Sequence, residues 1–359
     1  MSIPRLVLRA SRKCSSMSTR TFSVQSVARN AAAEPTYKAP ALGVNRTYDE
    51  ALKVIAEDKA KRLVDIKKME GTLAQLLKAA PSATKDAEIA SLKEKIFKQE
   101  AFAEINDPEI QWRFKNGQID MSKAVFRFMK NRQFQRETLP LVQQRITQMF
   151  VTPDLLPPFT PSLNVQMQYG STGSNYFEIG SYLQPGMTIQ EPKVSVLSFH
   201  PEQKYYTIAL VDPDMPDVKN EAFKQQLHWL IANVPLSSTQ MDVTKENADV
   251  VLPYLPPHPP KGTKYHRYTL LVAEQPNGGQ DKVQIETSSV SRETTLGDLC
   301  AQYQLNVKGL TFFREVWDKD VRNIYENILQ QPEPIYGKQP KVDELLDETG
   351  QKKKKYINL

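Results

Sequence analysis

The sequence of 359 residues is poor in the residues on which several common kinds of site depend. Its two cysteines, Cys14 and Cys300, are too few for a disulfide framework or a four-cysteine zinc site. Its 14 glycines form no glycine-rich phosphate loop and no dinucleotide-binding fingerprint. The motifs H-E-x-x-H and G-x-S-x-G are also missing, so zinc and serine-hydrolase chemistry have no support. No run approaches the roughly 18 apolar residues of a membrane-spanning helix.

Acidic residues are absent from the first 33 residues. Six of the 47 lysines and arginines lie there, so the rest of the chain has 41 cations and 41 acids. An acid-free segment rich in arginine and serine is typical of a mitochondrial transit peptide. Arg5 and Arg9 interrupt its apolar residues, which excludes the continuous core of a secretory signal. We predict a transit peptide over 1–33 and import into the mitochondrial matrix; the alternative is a basic tail that binds nucleic acid.

Residues 34–150 are predicted to be a helical, partly basic extension. Thr47 and Glu50 have the spacing of a capping box, and apolar residues then recur at helical intervals as far as Leu77. Pro81 ends this helix, and a second helical stretch follows and ends near Asp107. The spacing allows two interpretations: the two helices pair with each other, or their apolar stripe lies on a partner.

A basic segment at 113–145 carries eight cations against two acids. Its aromatic neighbours are Trp112, Phe114, Phe126, Phe128 and Phe134. Cations neutralise phosphates and flat side chains stack on unpaired bases, so this pattern favours RNA. The alternative is a solvated basic helix whose aromatic residues face the core. The candidate RNA contacts, in this segment and the C-terminal tail, are Arg113, Lys115, Lys123, Arg127, Lys130, Arg132, Arg136, Arg145, Lys352, Lys353, Lys354 and Lys355.

The character of the sequence changes after residue 150. Prolines are followed by short runs rich in β-branched and aromatic residues, and helical patterns return from about residue 296. We predict a mainly β domain over 151–330 with C-terminal helices. The charged tail over 331–359 is predicted to order only on a partner.

Four separated motifs occur in this β-rich part. Asp212-Pro213-Asp214-Met215-Pro216 follows one apolar run, His228-Trp229 begins the next, Pro259-Pro260-Lys261-Gly262-Thr263 leads into His266-Arg267-Tyr268, and Phe313 and Trp317 come later. In this order they resemble the phosphatidylethanolamine-binding protein (PEBP) family. The resemblance implies a small β-sandwich with peripheral helices around an anion pocket that takes phosphate-like head groups. The matching pocket positions are Asp212, Asp214, His228, His266 and Tyr268.

Two departures from the family pattern predict that this pocket is degenerate. Pro256, Pro257 and His258 stand where the family has a glycine, one residue and another glycine. Prolines offer no N–H, and side chains in place of glycine would narrow the mouth. Gln226 and Leu227 replace the family's aromatic–histidine pair. In this interpretation Asp212 and His228 satisfy buried polar groups and hold loops together, and phospholipid binding is not favoured. His200 and His258 match no ligand position of the family.

The whole arrangement suggests a function. A mitochondrial leader, a helical basic extension, this domain and a lysine-rich tail together resemble the PEBP-like proteins of the mitochondrial large ribosomal subunit, the fungal ones in particular. The resemblance implies a structural, non-catalytic role without cofactor or metal. Its extensions would contact large-subunit rRNA and neighbouring mitochondrial ribosomal proteins at the central protuberance. The alternative is a mitochondrial PEBP-type phospholipid-binding or protease-inhibitor protein, which needs an open anion pocket.

Overall fold

The computed structural model describes residues 36–78, 83–170 and 176–337. The predicted transit peptide and the lysines at 352–355 lie outside these ranges. Within the described ranges, no helix is both long enough and apolar enough to cross a membrane.

The first two helices, α1 (Arg46–Lys78) and α2 (Ala83–Glu104), pair with each other. Arg62 joins them: its guanidinium donates to Gln99 Oε1 at 2.8 Å and lies 5.7 Å from the centre of the Phe102 ring. Ile66 of α1 and Ile96 of α2 are among the buried apolar residues of the two helices. Of the two interpretations left open by the sequence, internal pairing is the one observed.

The cap of α1 differs from the sequence prediction. Asn45, not Thr47, caps the helix: its Oδ1 accepts from the backbone N–H groups of Thr47 at 3.1 Å and Tyr48 at 3.3 Å. Thr47 and Glu50 therefore lie inside the helix, and the predicted capping box is wrong by two residues.

The extension continues through three further helices, α3 (Pro108–Lys115), α4 (Ala124–Gln133) and α5 (Leu139–Gln148), with a π-helical turn at Phe134–Thr138 between the last two. Asp107 caps α3 by accepting from Glu109 N at 2.9 Å. Phe126 is fully buried with Ile110 and Val125. The predicted helical character of the extension is confirmed.

The β domain contains a six-stranded sheet and a two-stranded sheet. The larger has the order β2-β8-β7-β4-β5-β6, with β2 and β8 parallel and the other neighbours antiparallel; β1 pairs with β3 in the smaller. The strands are β1 (Asn164–Gln168), β2 (Tyr182–Leu183), β3 (Lys193–Leu197), β4 (Lys204–Asp217), β5 (Ala222–Leu236), β6 (Asp249–Leu252), β7 (His266–Glu274) and β8 (Asn306–Glu315). The predicted mainly β fold with helices is confirmed.

Both faces of the six-stranded sheet are covered by other elements. Successive residues of a strand point to opposite faces, so each strand contributes to both layers. Ile208 and Leu210 pack against β1 and β3, whereas Ala209 and Val211 pack against helices. The helical layer consists of α5, through residues such as Ile146, and of α8 (Leu296–Tyr303). Short helical turns α6 (Val151–Asp154) and α7 (Pro276–Gly279) connect the larger elements.

The chain ends, as far as it is described, on a loop of the β domain. Helix α9 (Lys319–Asn323) continues as a π-helical stretch, Ile324–Leu329. Tyr336 N then donates to Lys261 O at 2.8 Å. Gly262 has φ +92°, and a Cβ there would come within 1.9 Å of Tyr336 O, so only glycine fits. Residues 331–337 of the predicted tail therefore pack on the protein itself.

Candidate functional site

The carboxylate of Asp212 stands at the centre of the predicted pocket. Its Oδ2 is 2.7 Å from His266 Nδ1, and its Oδ1 accepts from Asp214 N at 2.8 Å. The other ring nitrogen of His266 is 2.9 Å from Thr263 Oγ1. Strands β4 and β7 bring these groups together, and Asp212 and His266 are buried. Both carboxylate oxygens and both imidazole nitrogens are therefore occupied by protein partners.

His228 lies on β5 beside this pair and is completely buried. Its Nδ1 is 3.0 Å from Leu255 O, and its Nε2 has no hydrogen-bond partner in the described structure. Burial, and then the neighbouring His258, hold the pKa of His228 well below its ordinary value. The imidazole is thus neutral at physiological pH, which removes the charge that would attract an anion.

Tyr268 packs edge-on to the His228 ring, with 5.2 Å between ring centres. Its hydroxyl is sealed from solvent and makes no hydrogen bond of normal geometry in the described structure. The orphaned hydroxyl and the orphaned Nε2 of His228 are the two polar groups that a bound ligand would satisfy. Both are enclosed, so the polar groups of the family pocket are present but closed off.

His258 and Tyr325 complete the cluster; the sequence placed His258 at the mouth of the pocket but at no ligand position, and Tyr325 was not predicted. The rings of His228 and His258 are 5.0 Å apart, and His258 Nδ1 is 2.7 Å from Pro256 O. Tyr325 covers His258: its hydroxyl donates to His258 O at 3.3 Å and its ring stands perpendicular to the imidazole. The signal available in the sequence was the bulky Pro-Pro-His segment in place of two glycines, which fills the mouth of the pocket.

A second buried acid lies at the end of β8. Glu315 Oε1 accepts from Thr188 Oγ1 at 2.7 Å, while Oε2 has no partner in the described residues. Burial raises the pKa of Glu315 well above its ordinary value. The neutral form of Glu315 is therefore favoured in the folded protein, and a neutral carboxyl group provides no positive charge for a phosphate-like anion.

Residues 163–313 match the profile of the family described as phosphatidylethanolamine-binding protein. This part of the chain belongs to the PEBP family. Outside the domain, the extension over 46–154 and the segment beyond residue 315 lie beyond the family match.

Two named relatives are similar to this chain over different lengths. Large ribosomal subunit protein mL38 of Schizosaccharomyces pombe is 28% identical over 223 residues, which are 62% of this chain and 71% of that protein. Protein TWIN SISTER of FT of Arabidopsis thaliana is 31% identical over 127 residues, 35% of this chain. The chain covers 65% of the Arabidopsis protein, just under two thirds of its length.

Solved structures of the same fold cover about half of the chain. Carboxypeptidase Y inhibitor, in a complex with its cognate proteinase, is 17% identical with a TM-score of 0.43, covering 51% of this chain and 98% of the inhibitor. Phosphatidylethanolamine-binding protein from Plasmodium vivax is 18% identical with a TM-score of 0.38, covering 49% and 97%.

Asp214 has a different place from the one predicted. Its carboxylate does not face the buried histidines but binds Arg267. Oδ2 accepts from Arg267 Nε at 2.8 Å, and Oδ1 accepts from Arg267 Nη2 at 2.6 Å. Arg267 also donates to Met149 O at 2.8 Å, Phe150 O at 2.9 Å and Asp154 Oδ2 at 2.9 Å. Although burial lowers the pKa of Arg267, Asp214 and Asp154 outweigh it and raise the pKa. Asp214 thus holds Arg267, and Arg267 fastens the end of the extension to the six-stranded sheet.

Three of the five aromatic residues of the basic segment point inward. Phe126 and Phe134 are buried, and Phe128 packs edge-on against Phe102 with ring centres 5.2 Å apart. These rings are not available to stack on bases. These three aromatic residues lie as the alternative interpretation expects, facing the core, whereas Trp112 and Phe114 are only partly buried.

Arg127 is a correction to the predicted RNA contacts. Its side chain is buried, donates to Met121 O at 3.2 Å and Ser122 O at 2.5 Å, and lies 5.6 Å from the centre of the Phe97 ring. Burial lowers the pKa of Arg127, with Glu100 opposing. The guanidinium supports the loop before α4 and is not on the surface.

The other predicted cations of this segment divide into two groups. Arg113 forms an ion pair with Glu109 at 2.5 Å, and Lys130 lies 5.5 Å from the centre of the Phe114 ring and 3.2 Å from Gln133 Oε1. The remaining five are at least partly exposed and make no ion pair with described residues: Lys115, Lys123, Arg132, Arg136 and Arg145. The lysines at 352–355 lie outside the described residues.

Proposed function

We propose that this chain is a structural constituent of the mitochondrial large ribosomal subunit. The observation that carries the proposal is the extent of the similarity to the S. pombe protein mL38. That similarity covers 223 residues, whereas the family match covers only 163–313, so the two chains share sequence outside the PEBP domain. The similarity to the Arabidopsis protein, over 127 residues, is shorter than the domain. The predicted transit peptide supports a mitochondrial location.

The closed polar cluster supports a structural role for the PEBP domain. Head-group binding needs donors that a phosphate can reach, but His228 Nε2 and the Tyr268 hydroxyl are sealed from solvent. His228 is neutral, and Asp212 and His266 are committed to each other at 2.7 Å. In the proposal the cluster stabilises the loops at this end of the sheet, and the domain acts as a rigid block.

Contact with rRNA is assigned to the exposed cations of the extension. Lys115, Lys123, Arg132, Arg136 and Arg145 have no competing carboxylate within ion-pair distance among described residues, so each is available to a phosphate. The lysines at 352–355 are proposed to act in the same way. Their partners would be large-subunit rRNA and neighbouring ribosomal proteins at the central protuberance.

Sedimentation of a mitochondrial lysate tests the proposal. The protein is expected to co-sediment with the large ribosomal subunit and to remain there in washes at moderate salt. A stable free pool with no protein in the large-subunit fraction would overturn the proposal.

The RNA contact is tested by a double charge reversal, Arg132→Glu and Arg136→Glu. We expect incorporation into the subunit to fall by about tenfold at physiological salt, since two phosphate contacts become repulsive. The matched control reverses Lys61 and Lys67 on α1, which are also exposed and make no ion pair with described residues. Equal incorporation of the two double variants would show that 132 and 136 face solvent.

A further inference from the structure

Strands β4 and β5 run beyond the sheet that contains them. The pairing of β4 with β7 ends at Val211 opposite Thr269, but β4 and β5 continue to pair as far as Asp217 opposite Ala222. Residues 212–217 and 222–226 therefore form a projecting two-stranded hairpin, which we call the β4–β5 ribbon. No third strand pairs with the ribbon among the described residues.

The tip of the β4–β5 ribbon exposes two large apolar side chains. Val218 is 71% exposed and Phe223 is 73% exposed. Single exposed apolar residues are common on protein surfaces, but a phenyl ring and a valine together at the end of a projection are well placed for a contact.

The ribbon is braced at its tip and at its base. Asp217 accepts from Asn220 Nδ2 at 2.7 Å and from Lys219 N at 3.2 Å, which fixes the turn. At the base, Lys224 pairs with Glu293 at 2.5 Å, and Gln225 Oε1 accepts from Leu296 N at 2.9 Å. A projection held in this way loses little conformational entropy when it binds.

The charge of the tip decides which class of partner it fits. Lys219 stands between Asp217 and Glu221, and Lys224 is neutralised by Glu293. Lys219 makes no ion pair with described residues, but it is a single cation between two acids, whereas a phosphate backbone attracts a cluster of unpaired cations. Aromatic and apolar side chains in a nearly neutral setting are the composition of the core of protein–protein contacts.

We propose that Val218 and Phe223 dock into an apolar pocket of a neighbouring protein subunit. This inference rests on the proposed function in one respect: the proposed function identifies the neighbour as a protein of the mitochondrial large ribosomal subunit. The ribbon thus contacts protein, while the exposed cations of the extension, on other elements of the chain, contact RNA.

The test places a photo-crosslinking benzoylphenylalanine at position 223 of the full-length chain in mitochondria. Irradiation is expected to give an adduct with one protein of the complex in which the chain sediments. A V218S background should lower its yield by about tenfold, as truncation of a contact residue does. The matched control, Lys219→Ser in the same turn, should leave the yield unchanged. Because 218 and 219 are both exposed, thermal unfolding of these variants is expected to match that of the parent.

An adduct with RNA, no adduct, or an adduct indifferent to V218S would each overturn the inference. Sedimentation of the unmodified chain is measured first. If the chain is absent from the large subunit, the proposed function fails, but the crosslink and its dependence on Val218 are still measured in the fraction that contains the chain. The two failures are therefore distinguishable.

Discussion

Replacing Arg267 by alanine should strongly destabilise the protein, because this guanidinium joins the extension to the sheet. Arg267 is 8% exposed and is held by Asp214, whose side chain is 17% exposed. Removing one partner of such a buried pair costs about 3–5 kcal/mol. Asp154, at 45% exposure, adds at most about 1 kcal/mol. The carbonyls of Met149 and Phe150 lose a charged donor, but water can replace part of it. We therefore expect a loss of about 3–5 kcal/mol in the free energy of unfolding.

Urea denaturation followed by tryptophan fluorescence and circular dichroism measures this loss. A double-mutant cycle with Asp214→Asn isolates the pair, and the expected coupling is about 2 kcal/mol or more. Arg132→Ala is the matched control, since this arginine is exposed and unpaired among described residues; it should change stability by less than about 0.5 kcal/mol. A loss below about 1 kcal/mol for Arg267→Ala, or a coupling near zero, would refute the reasoning.

Three further outcomes follow from the buried cluster and the C-terminal segment. Because the pKa of His228 is lowered, the unfolded chain takes up a proton near pH 6.5 that the folded chain does not. Stability should fall as the pH drops from 7.5 to 5.5, by up to about 1.4 kcal/mol per unit, and less in His228→Asn; equal slopes in urea titrations would contradict this. Because the pKa of Glu315 is raised in the folded protein, folding favours the neutral carboxyl group. The free energy of unfolding should therefore fall as the pH rises above the pKa that this group has in the unfolded chain. Glu315→Gln should therefore gain stability relative to the parent between pH 5 and pH 8, and a constant difference would contradict this. Gly262→Ala should lower the free energy of unfolding by about 1–3 kcal/mol and speed proteolysis within 331–337. Unchanged stability and an unchanged cleavage rate would contradict the packing of this segment on the loop.

Most of the β domain could be predicted from sequence patterns. The motifs around Asp212, His228 and His266 predicted one cluster, and the strands do bring these residues together. Short runs rich in β-branched and aromatic residues predicted the strands, and the structure shows that β4 is buried on both faces, with Ile208 on one side and Ala209 on the other. The strands follow from local composition, but Asp212 and His266 are 54 residues apart, and the resemblance to the PEBP family, not local spacing, implied that they share a pocket.

Other features depended on contacts between distant residues. Asp214 belongs to a motif next to Asp212, yet its partner Arg267 is 53 residues away. Arg127 and Arg132 are both cations of α4, but only the position of α2 decides that Arg127 is buried beside Phe97. Neither outcome can be derived from spacing along the chain, since each depends on which element packs against which.

The Arg267 connection has a consequence for how this protein would assemble. Since the guanidinium holds the carbonyls of Met149 and Phe150 on the sheet, the extension and the PEBP domain keep a fixed mutual direction. When one of two linked surfaces binds, the other is then presented at a high effective concentration, provided that the geometry fits both targets. Weak contacts by the extension and by the β4–β5 ribbon would reinforce each other as avidity. Loosening Arg267 would reduce that reinforcement without altering either surface.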